Sequence, residues 1–347
     1  MKRIGIIGLG GIATKHIKEL LAVKNCAITA ICDIDGNTLK RRQAELSIPK
    51  EHCFTDYRDL IACDAVDAVE ICTPNYLHVE MALAAIRAGK PVNIEKPLST
   101  DLPTAEPLRT ALQERNAETM MCFSYRFMPA VRYAKWIIDQ GLLGEIVSVD
   151  VAYLKSSGLW EGRRLEWRFE KAKAGTGVLG DLGVHLIDMA ELLVGKITEV
   201  SAMTKIVVKE RKRLDSEELA PVETDDYCSF LAKTETGALE SFIITRCAIG
   251  NQNTIKFDIY GTQGVVSFNL NDPNVLNVCV GEVDRMSESL HTVKVPAKFS
   301  ITQEQAFVDM LEGKNCAYFP TVADGLRSQQ ILDRLLLSAK EHRWVTI

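Results

Sequence analysis

The chain has 347 residues, 47% of them hydrophobic and 25% charged, with a formal net charge of −5. That length suggests two domains, each able to bury a substantial core, and the mild acidity offers no support for nucleic-acid binding, which wants a basic patch. No apolar run approaches the roughly 18 to 20 residues of a membrane span, and Met1-Lys2-Arg3 leads directly into a short strand without a signal-peptide core, so a cytoplasmic protein with no membrane partner is expected.

The first third alternates short apolar runs with amphipathic segments. Strands are expected over Arg3–Ile7, Ala27–Cys32, Cys53–Phe54, Ala68–Cys72, Pro91–Ile94 and Thr119–Phe123. Helices are expected over Ile12–Leu21, Thr38–Leu46, Tyr76–Ala88 and a stretch ending near Asn116. The strands are continuous apolar runs rather than alternating ones, which indicates a parallel sheet covered on both faces: a doubly wound α/β domain of Rossmann type over residues 1–122.

After Phe123 the pattern changes. A helix over Met128–Gln140 closes at Gly141, and longer alternating segments follow: Ile146–Leu154, Glu199–Val208, Asp226–Ala232, Ala238–Arg246, Thr254–Tyr260 and Val265–Phe268. Alternation predicts a mainly antiparallel open sheet with one face packed. Two more helices, Thr302–Leu311 and Val322–Glu341, complete an α+β domain over residues 123–347. The charge-rich stretch from Lys205 to Asp226 reads as a solvated strand and loop. The ten cysteines form no Cys-x-x-Cys and read as reduced thiols.

Gly8-Leu9-Gly10-Gly11-Ile12-Ala13 fits Gly-x-Gly-x-x-Ala at the junction of the first strand and first helix. There the glycines allow a tight turn and the close approach of a pyrophosphate to a helix N-terminus, where unpaired N–H groups and the dipole favour an anion. Asp33 ends the second strand, where a carboxylate can bind both hydroxyls of an adenosine ribose and repel a 2′-phosphate, so NAD is favoured over NADP. Arg41 and Arg42, which could accept that phosphate, fall on what reads as a solvated helix face. Two further strand ends, Cys72-Thr73-Pro74-Asn75 and Glu95-Lys96-Pro97, belong on the ligand-binding rim of such a sheet, with Lys96 where a nicotinamide would lie.

In the second domain Asp181, His185 and Asp188 recur at i, i+4 and i+7 in a segment otherwise made of Gly, Val, Leu, Ile, Met and Ala. A 3.6-residue turn stacks all three in one stripe. Titratable groups in an apolar helix suggest proton transfer. Too few ligands surround Asp181 and His185 for a metal, and none is expected.

Together these residues resemble the Gfo/Idh/MocA family. The matching features are the glycine turn, Thr73-Pro74-Asn75 with His78, Ala88-Gly89-Lys90, Glu95-Lys96-Pro97, Tyr125-Arg126-Phe127, Glu166-Trp167-Arg168, Asp181-x-Gly-x-His185-x-x-Asp188, Tyr318-Phe319-Pro320-Thr321 and Asp324-Gly325-Leu326-Arg327. Pro91 and Gly175-Thr176-Gly177 depart mildly from the usual pattern. The resemblance implies an NAD(P)-dependent dehydrogenase of a sugar, inositol or related polyol, assembled as a homodimer or homotetramer through its C-terminal sheet. It further implies a Lys96–Asp181–His185 catalytic set. His78, Glu95, Trp167 and Arg168 join Gly8, Gly10, Gly11, Ile12, Asp33, Thr73, Pro74, Asn75 and Lys96 at the cofactor.

The groups themselves suggest the chemistry. His185 suits a general base for the hydroxyl proton, and Lys96 a donor to the developing alkoxide, with Lys96 as the acid/base the competing assignment. Asp181 would tune the base or bind a hydroxyl, and Asp188 would orient neighbouring hydroxyls. Aromatic faces and forked donors suit polyols, which nominates Tyr125, Arg126 and Trp160 as substrate contacts, core packing or a surface position being the competing roles. An NAD-dependent glycoside hydrolase acting by transient oxidation and a non-catalytic dinucleotide sensor are the alternative functions.

Overall fold

The computed structural model describes residues 1–314 and 318–347. The chain divides into two compact units, Met1–Ser124 with Ile301–Gln329, and Tyr125–Ser300 with Gln330–Ile347. Residues 301–329, which follow the boundary expected from sequence, thus cluster with the first unit.

The first unit begins with β1 (Lys2–Ile7), α1 (Gly11–Leu20), β2 (Cys26–Cys32), α2 (Gly36–Leu46), β3 (Cys53–Phe54), α3 (Tyr57–Ala62) and β4 (Ala68–Ile71). It continues with α4 (His78–Arg87), β5 (Val92–Ile94), α5 (Leu102–Arg115) and β6 (Thr119–Met121). All six strands run parallel in the order β3-β2-β1-β4-β5-β6. The order reverses between β1 and β4, the switch point beside which doubly wound sheets bind ligands. Ile4, Ile6, Val69, Ile71, Val92 and Ile94 are fully buried, as sheets covered on both faces require. Acids cap the helices: Asp35 accepts from the Asn37 and Thr38 N–H groups at α2, and Asp101 from Thr104 N–H at α5. Asp56 caps α3 in the same way, a six-residue helix too short to show a period from sequence.

The second unit carries α6 (Pro129–Asp139), β7 (Ile146–Leu154), α7 (Lys171–Ala174), α8 (Val184–Leu193), β8 (Ile197–Lys205), β9 (Glu210–Lys212), β10 (Leu219–Pro221), β11 (Tyr227–Thr234) and β12 (Leu239–Thr245). After β13 (Thr254–Gly261) and β14 (Gly264–Asn269) come β15 (Val275–Val280), α9 (Glu282–Ser287) and β16 (His291–Lys294). The chain ends with α10 (Gln303–Leu311) in the first unit, α11 (Val322–Glu341), and β17 (Val345–Thr346). Nine strands form one sheet, β16-β15-β14-β13-β7-β12-β11-β8-β17. Every pairing is antiparallel except β7 with β12. One face holds the core: Val149, Val151, Phe230, Phe242, Ile244, Phe257 and Ile259 are buried, and Phe230 stacks on Phe242 with centroids 4.1 Å apart.

Two expectations need correction. From sequence the sheet ends at Phe268, but β15, β16 and β17 extend it; β16 and β17 are edge strands of four and two residues, too short to show a period, whereas β15 is paired on both sides and buries Leu276 and Val278. Residues between Lys205 and Asp226 are not a plain loop. They fold into the β9–β10 hairpin, whose Ala220 joins Val222, Leu165, Phe169 and Ile206 in a small separate core. Among the described residues no helix is long and apolar enough to cross a membrane, and the described cysteines are free thiols.

Candidate active site

At the switch point the chain leaves β1 through Gly8, whose φ of +84° lies in the left-handed region. A Cβ there would stand 2.9 Å from the Cys72 backbone and the Thr73 side chain, so only glycine lets the turn pack against the end of β4. At Gly10 and Gly11 an added Cβ would meet nothing within 4 Å. No side chain caps the N-terminus of α1, so its first N–H groups face an open approach. Ile12 on that turn is 41% exposed. A dinucleotide pyrophosphate fits this combination of glycine clearance and an uncapped helix start.

Asp33 supports the same turn. Its Oδ2 accepts from Leu9 N–H at 2.7 Å and its Oδ1 from Asp35 N–H at 2.8 Å. Each carboxylate oxygen can accept more than one bond, so these contacts orient Asp33 at the end of β2 and leave capacity for ribose hydroxyls. Arg42 corrects its sequence reading. It is buried rather than solvated, its guanidinium bonded to Glu45 Oε2 at 2.8 Å and Thr14 Oγ1 at 2.5 Å; a contact to Thr14 was invisible in the α2 pattern.

His78 is fully buried. Its Nδ1 lies 2.8 Å from the Pro97 carbonyl and its Nε2 2.8 Å from the Thr73 carbonyl, which braces the rim loop after β4 against that after β5. Burial lowers its proton affinity. Asn75 is buried and Pro74 precedes the 3₁₀ turn Asn75–Leu77 that leads into α4. The Lys96–Pro97 peptide is cis. Glu95 Oε2 accepts the Lys96 main-chain N–H at 3.0 Å.

In the second unit the expected single helix carrying Asp181, His185 and Asp188 is two elements. Leu179–Gly183 is one π turn, and the α-helix begins at Val184. Its cause is visible upstream. Asp225 takes the N–H groups of Gly177 (2.7 Å, Oδ1), Leu179 (2.9 Å, Oδ2) and, through its carbonyl, Val178 (2.9 Å). A Cβ on Gly177 would fall 1.9 Å from the Asp225 carbonyl oxygen. The helix start is therefore pinned to the β10–β11 connection, and the wider turn absorbs the mismatch, as π bulges at functional sites do. Asp181 is half-buried, while His185 and Asp188 are 7% and 3% exposed.

Beside His185 stands Tyr125, which is bonded to a second phenol, Tyr153. The Tyr125 ring meets the imidazole edge to face at 4.6 Å between centroids. Tyr125 and Tyr153 share a hydroxyl hydrogen bond of 2.8 Å, and Tyr153 donates to Asn253 Oδ1 at 2.9 Å. Burial first, then Tyr125 and Asp181, push the Tyr153 phenol far above its usual range. Sequence reasoning missed Tyr153 and Asn253. The first is an inward polar group in the alternating strand β7, a readable signal; Asn253 has none. Arg126 Nε reaches Asp188 Oδ2 at 2.8 Å and Oδ1 at 3.0 Å, and Nη2 reaches Oδ1 at 2.5 Å, so two nominated substrate contacts are engaged with one another. Arg168 stacks 4.5 Å over Trp167. Trp160 is 62% exposed.

A parallel sheet in Rossmann order, with a glycine turn and a carboxylate at its switch point, defines an NAD-binding oxidoreductase. Residues 2–123 match the family described as "Oxidoreductase family, NAD-binding Rossmann fold", and residues 131–267 match the "GFO/IDH/MocA C-terminal domain". The chain is 32% identical to levoglucosan dehydrogenase of Pseudarthrobacter phenanthrenivorans over 86% of its own length and 84% of that protein's. To glucose-6-phosphate 3-dehydrogenase of Bacillus subtilis it is 27% identical over 96% and 95%. A solved levoglucosan dehydrogenase in complex with NADH superposes with a TM-score of 0.91 at 29% identity, covering 100% of this chain and 99% of that one. The chain belongs to the Gfo/Idh/MocA family of oxidoreductases, and its cofactor is NAD.

Proposed function

We propose that this enzyme oxidises a secondary hydroxyl of a sugar, inositol or related polyol. The observation that carries the reading is the packing of His185 against Tyr125, one turn from the half-buried Asp181, in a family whose relatives are named levoglucosan and inositol dehydrogenases. When bound, NAD supplies the two-electron redox chemistry. Gly8, Gly10, Gly11 and Ile12 would hold its pyrophosphate, Asp33 its adenosine ribose, and the rim residues Thr73, Pro74, Asn75, Glu95 and Lys96 its nicotinamide end. Trp167 and Arg168 would contact the nicotinamide or the substrate.

His185 takes the hydroxyl proton as general base, with Asp181 fixing its charge or binding a neighbouring hydroxyl. Lys96 donates a hydrogen bond to the oxygen as negative charge develops there. Tyr125 and Trp160 would offer ring faces to the carbinol carbons, and Arg126 and Asp188, bound to one another, are the proposed contacts for neighbouring hydroxyls. A panel of cyclic polyols and sugars with NAD, followed by NADH absorbance, tests the reading. Net NADH from a polyol supports it. Glycoside cleavage without net NADH would instead establish hydrolysis by transient oxidation, and NAD binding with neither would establish a sensor.

We also propose a homo-oligomer through the open face of the nine-stranded sheet, where Leu231, Leu239, Ile243 and Tyr260 are exposed. Light scattering that finds only monomer at micromolar concentration would reject this part.

A further inference from the structure

His16 lies on the core stripe of α1 with Ala13, Ile17 and Leu20, and is 1% exposed. Acids from three different elements surround it. Its Nε2 is 2.9 Å from Glu95 Oε1, after β5. Its Nδ1 is 2.8 Å from Glu70 Oε1, in β4, and 3.0 Å from Glu304 Oε1, in α10. Glu70 Oε1 also accepts from Asn93 Nδ2 at 2.8 Å.

An ionised carboxylate only accepts hydrogen bonds. Nε2 hydrogen-bonds Glu95, and Nδ1 lies within ion-pair distance of Glu70 and Glu304 without a hydrogen bond of good geometry, a setting that favours the imidazolium. Burial opposes that charge, but the neighbours Cys72, Glu70, Cys122 and Glu304 outweigh it and hold the imidazole well above its ordinary value. At the outer end Glu304 hydrogen-bonds Glu19, whose carboxyl burial and Glu304 push up to about 7. That pair keeps a proton and limits the net negative charge.

The ligand types His16, Glu70 and Cys122 lie within 4.8 Å of one another, as in a metal site. The distances argue against an ion. Nitrogen and oxygen ligands of a tetrahedral zinc would stand about 3.4 Å apart for bonds of roughly 2.1 Å, whereas His16 meets its carboxylates at 2.8 to 3.0 Å.

Glu95 has two tasks in this arrangement. One oxygen faces His16 and the other accepts the Lys96 main-chain N–H at 3.0 Å. We propose that His16 is a positioning residue: as a buried cation it holds Glu95 in the orientation that fixes the main chain of Lys96. The inference rests on the reading above that Lys96 acts on the substrate oxygen. Without the imidazolium Glu95 would lose the partner at its Oε1, and its hold on that N–H would loosen. A lysine displaced by about 1 Å still leaves the pyrophosphate turn intact but loses much of its transition-state contact.

The test compares three variants with the wild type on whichever panel polyol it oxidises. His16→Gln/Glu304→Gln removes the cation together with one acid, which limits the charge left unbalanced. Glu95→Asp keeps the charge but is one methylene too short to span His16 and the Lys96 N–H. Lys96→Ala reports on the lysine itself. The proposal expects the first two to lose roughly tenfold or more in kcat per NAD-binding site, with Kd for NAD within about threefold of wild type in the double variant, which leaves Glu95 in place. A purely structural role would lower Tm and leave kcat per binding site unchanged. Wild-type kcat in Glu95→Asp, or in the double variant where it folds, together with an inactive Lys96→Ala, overturns the positioning role alone. Wild-type kcat in Lys96→Ala overturns the reading of Lys96 and this inference with it.

Discussion

Among the buried histidines, His16 in the first unit and His185 in the second stand in opposite surroundings. His16 is ringed by Glu70, Glu95 and Glu304, with carboxylate oxygens at both ring nitrogens. His185 packs against the edge of Tyr125, and the acids of its segment divide: Asp188 is bound to Arg126, while Asp181 remains half-buried at the π turn. Burial of a titratable group therefore does not by itself mark a proton-transfer residue. A histidine clamped by three acids holds charge and geometry. On the proposed reading, a histidine beside an aromatic ring and a half-buried carboxylate exchanges a proton.

The contrast can be broken most sharply at Lys96. Its replacement by alanine should lower kcat by ~10²-fold or more with NAD binding kept; stopped-flow NADH formation and a fluorescence titration of NAD measure both. Next in size is the Arg126–Asp188 pair. Both side chains are nearly buried, so Asp188→Ala leaves a guanidinium uncompensated and should cost about 3–5 kcal/mol of stability by chemical denaturation. A cost under about 1 kcal/mol, as for a surface pair, would show that water reaches the site.

A smaller effect is expected at the cofactor. In its proposed role Asp33 disfavours a 2′-phosphate, and Arg42 is committed to Glu45 and Thr14. Specificity, as kcat/KM, should favour NAD over NADP by about tenfold or more, and equal use of both would remove Asp33 from that role. The smallest effect is a pH slope. Glu19 is raised from 4.5 to about 7, so the folded chain holds a proton that the unfolded chain has released. Its contribution is complete below about pH 4.5 and is lost as pH rises through about 7. Relative to wild type, Glu19→Gln should therefore have a higher Tm at pH 8 than at pH 5. The same Tm difference at both pH values would contradict the Glu19–Glu304 proton.

Much of this was legible in the sequence because the physics was local. Continuous apolar strands gave the parallel sheet, and alternating ones the open sheet, with Ile146–Leu154 and Val322–Glu341 read at their true ends. The glycine turn and the strand-end motifs were readable because a phosphate needs clearance at one known place in the fold. What escaped was set by distant partners. The π turn at Leu179–Gly183 depends on Asp225, and the burial of Arg42 depends on Thr14. Glu304 meets His16 only because residues 301–329 return to the first unit. Yet one signal was present: His16 on the core stripe of α1, Glu70 in Ala-Val-Glu-Ile and Asn93 in Val-Asn-Ile are polar groups at positions the pattern makes apolar.

The central claim is that His185 takes the proton of a polyol hydroxyl. Its most direct test is single-turnover NADH formation by wild type and His185→Ala on the polyol that the wild type oxidises, with NAD saturating. The expected result is a rate ~10²-fold lower in the variant at unchanged NAD affinity. Equal rates in the two proteins would contradict it.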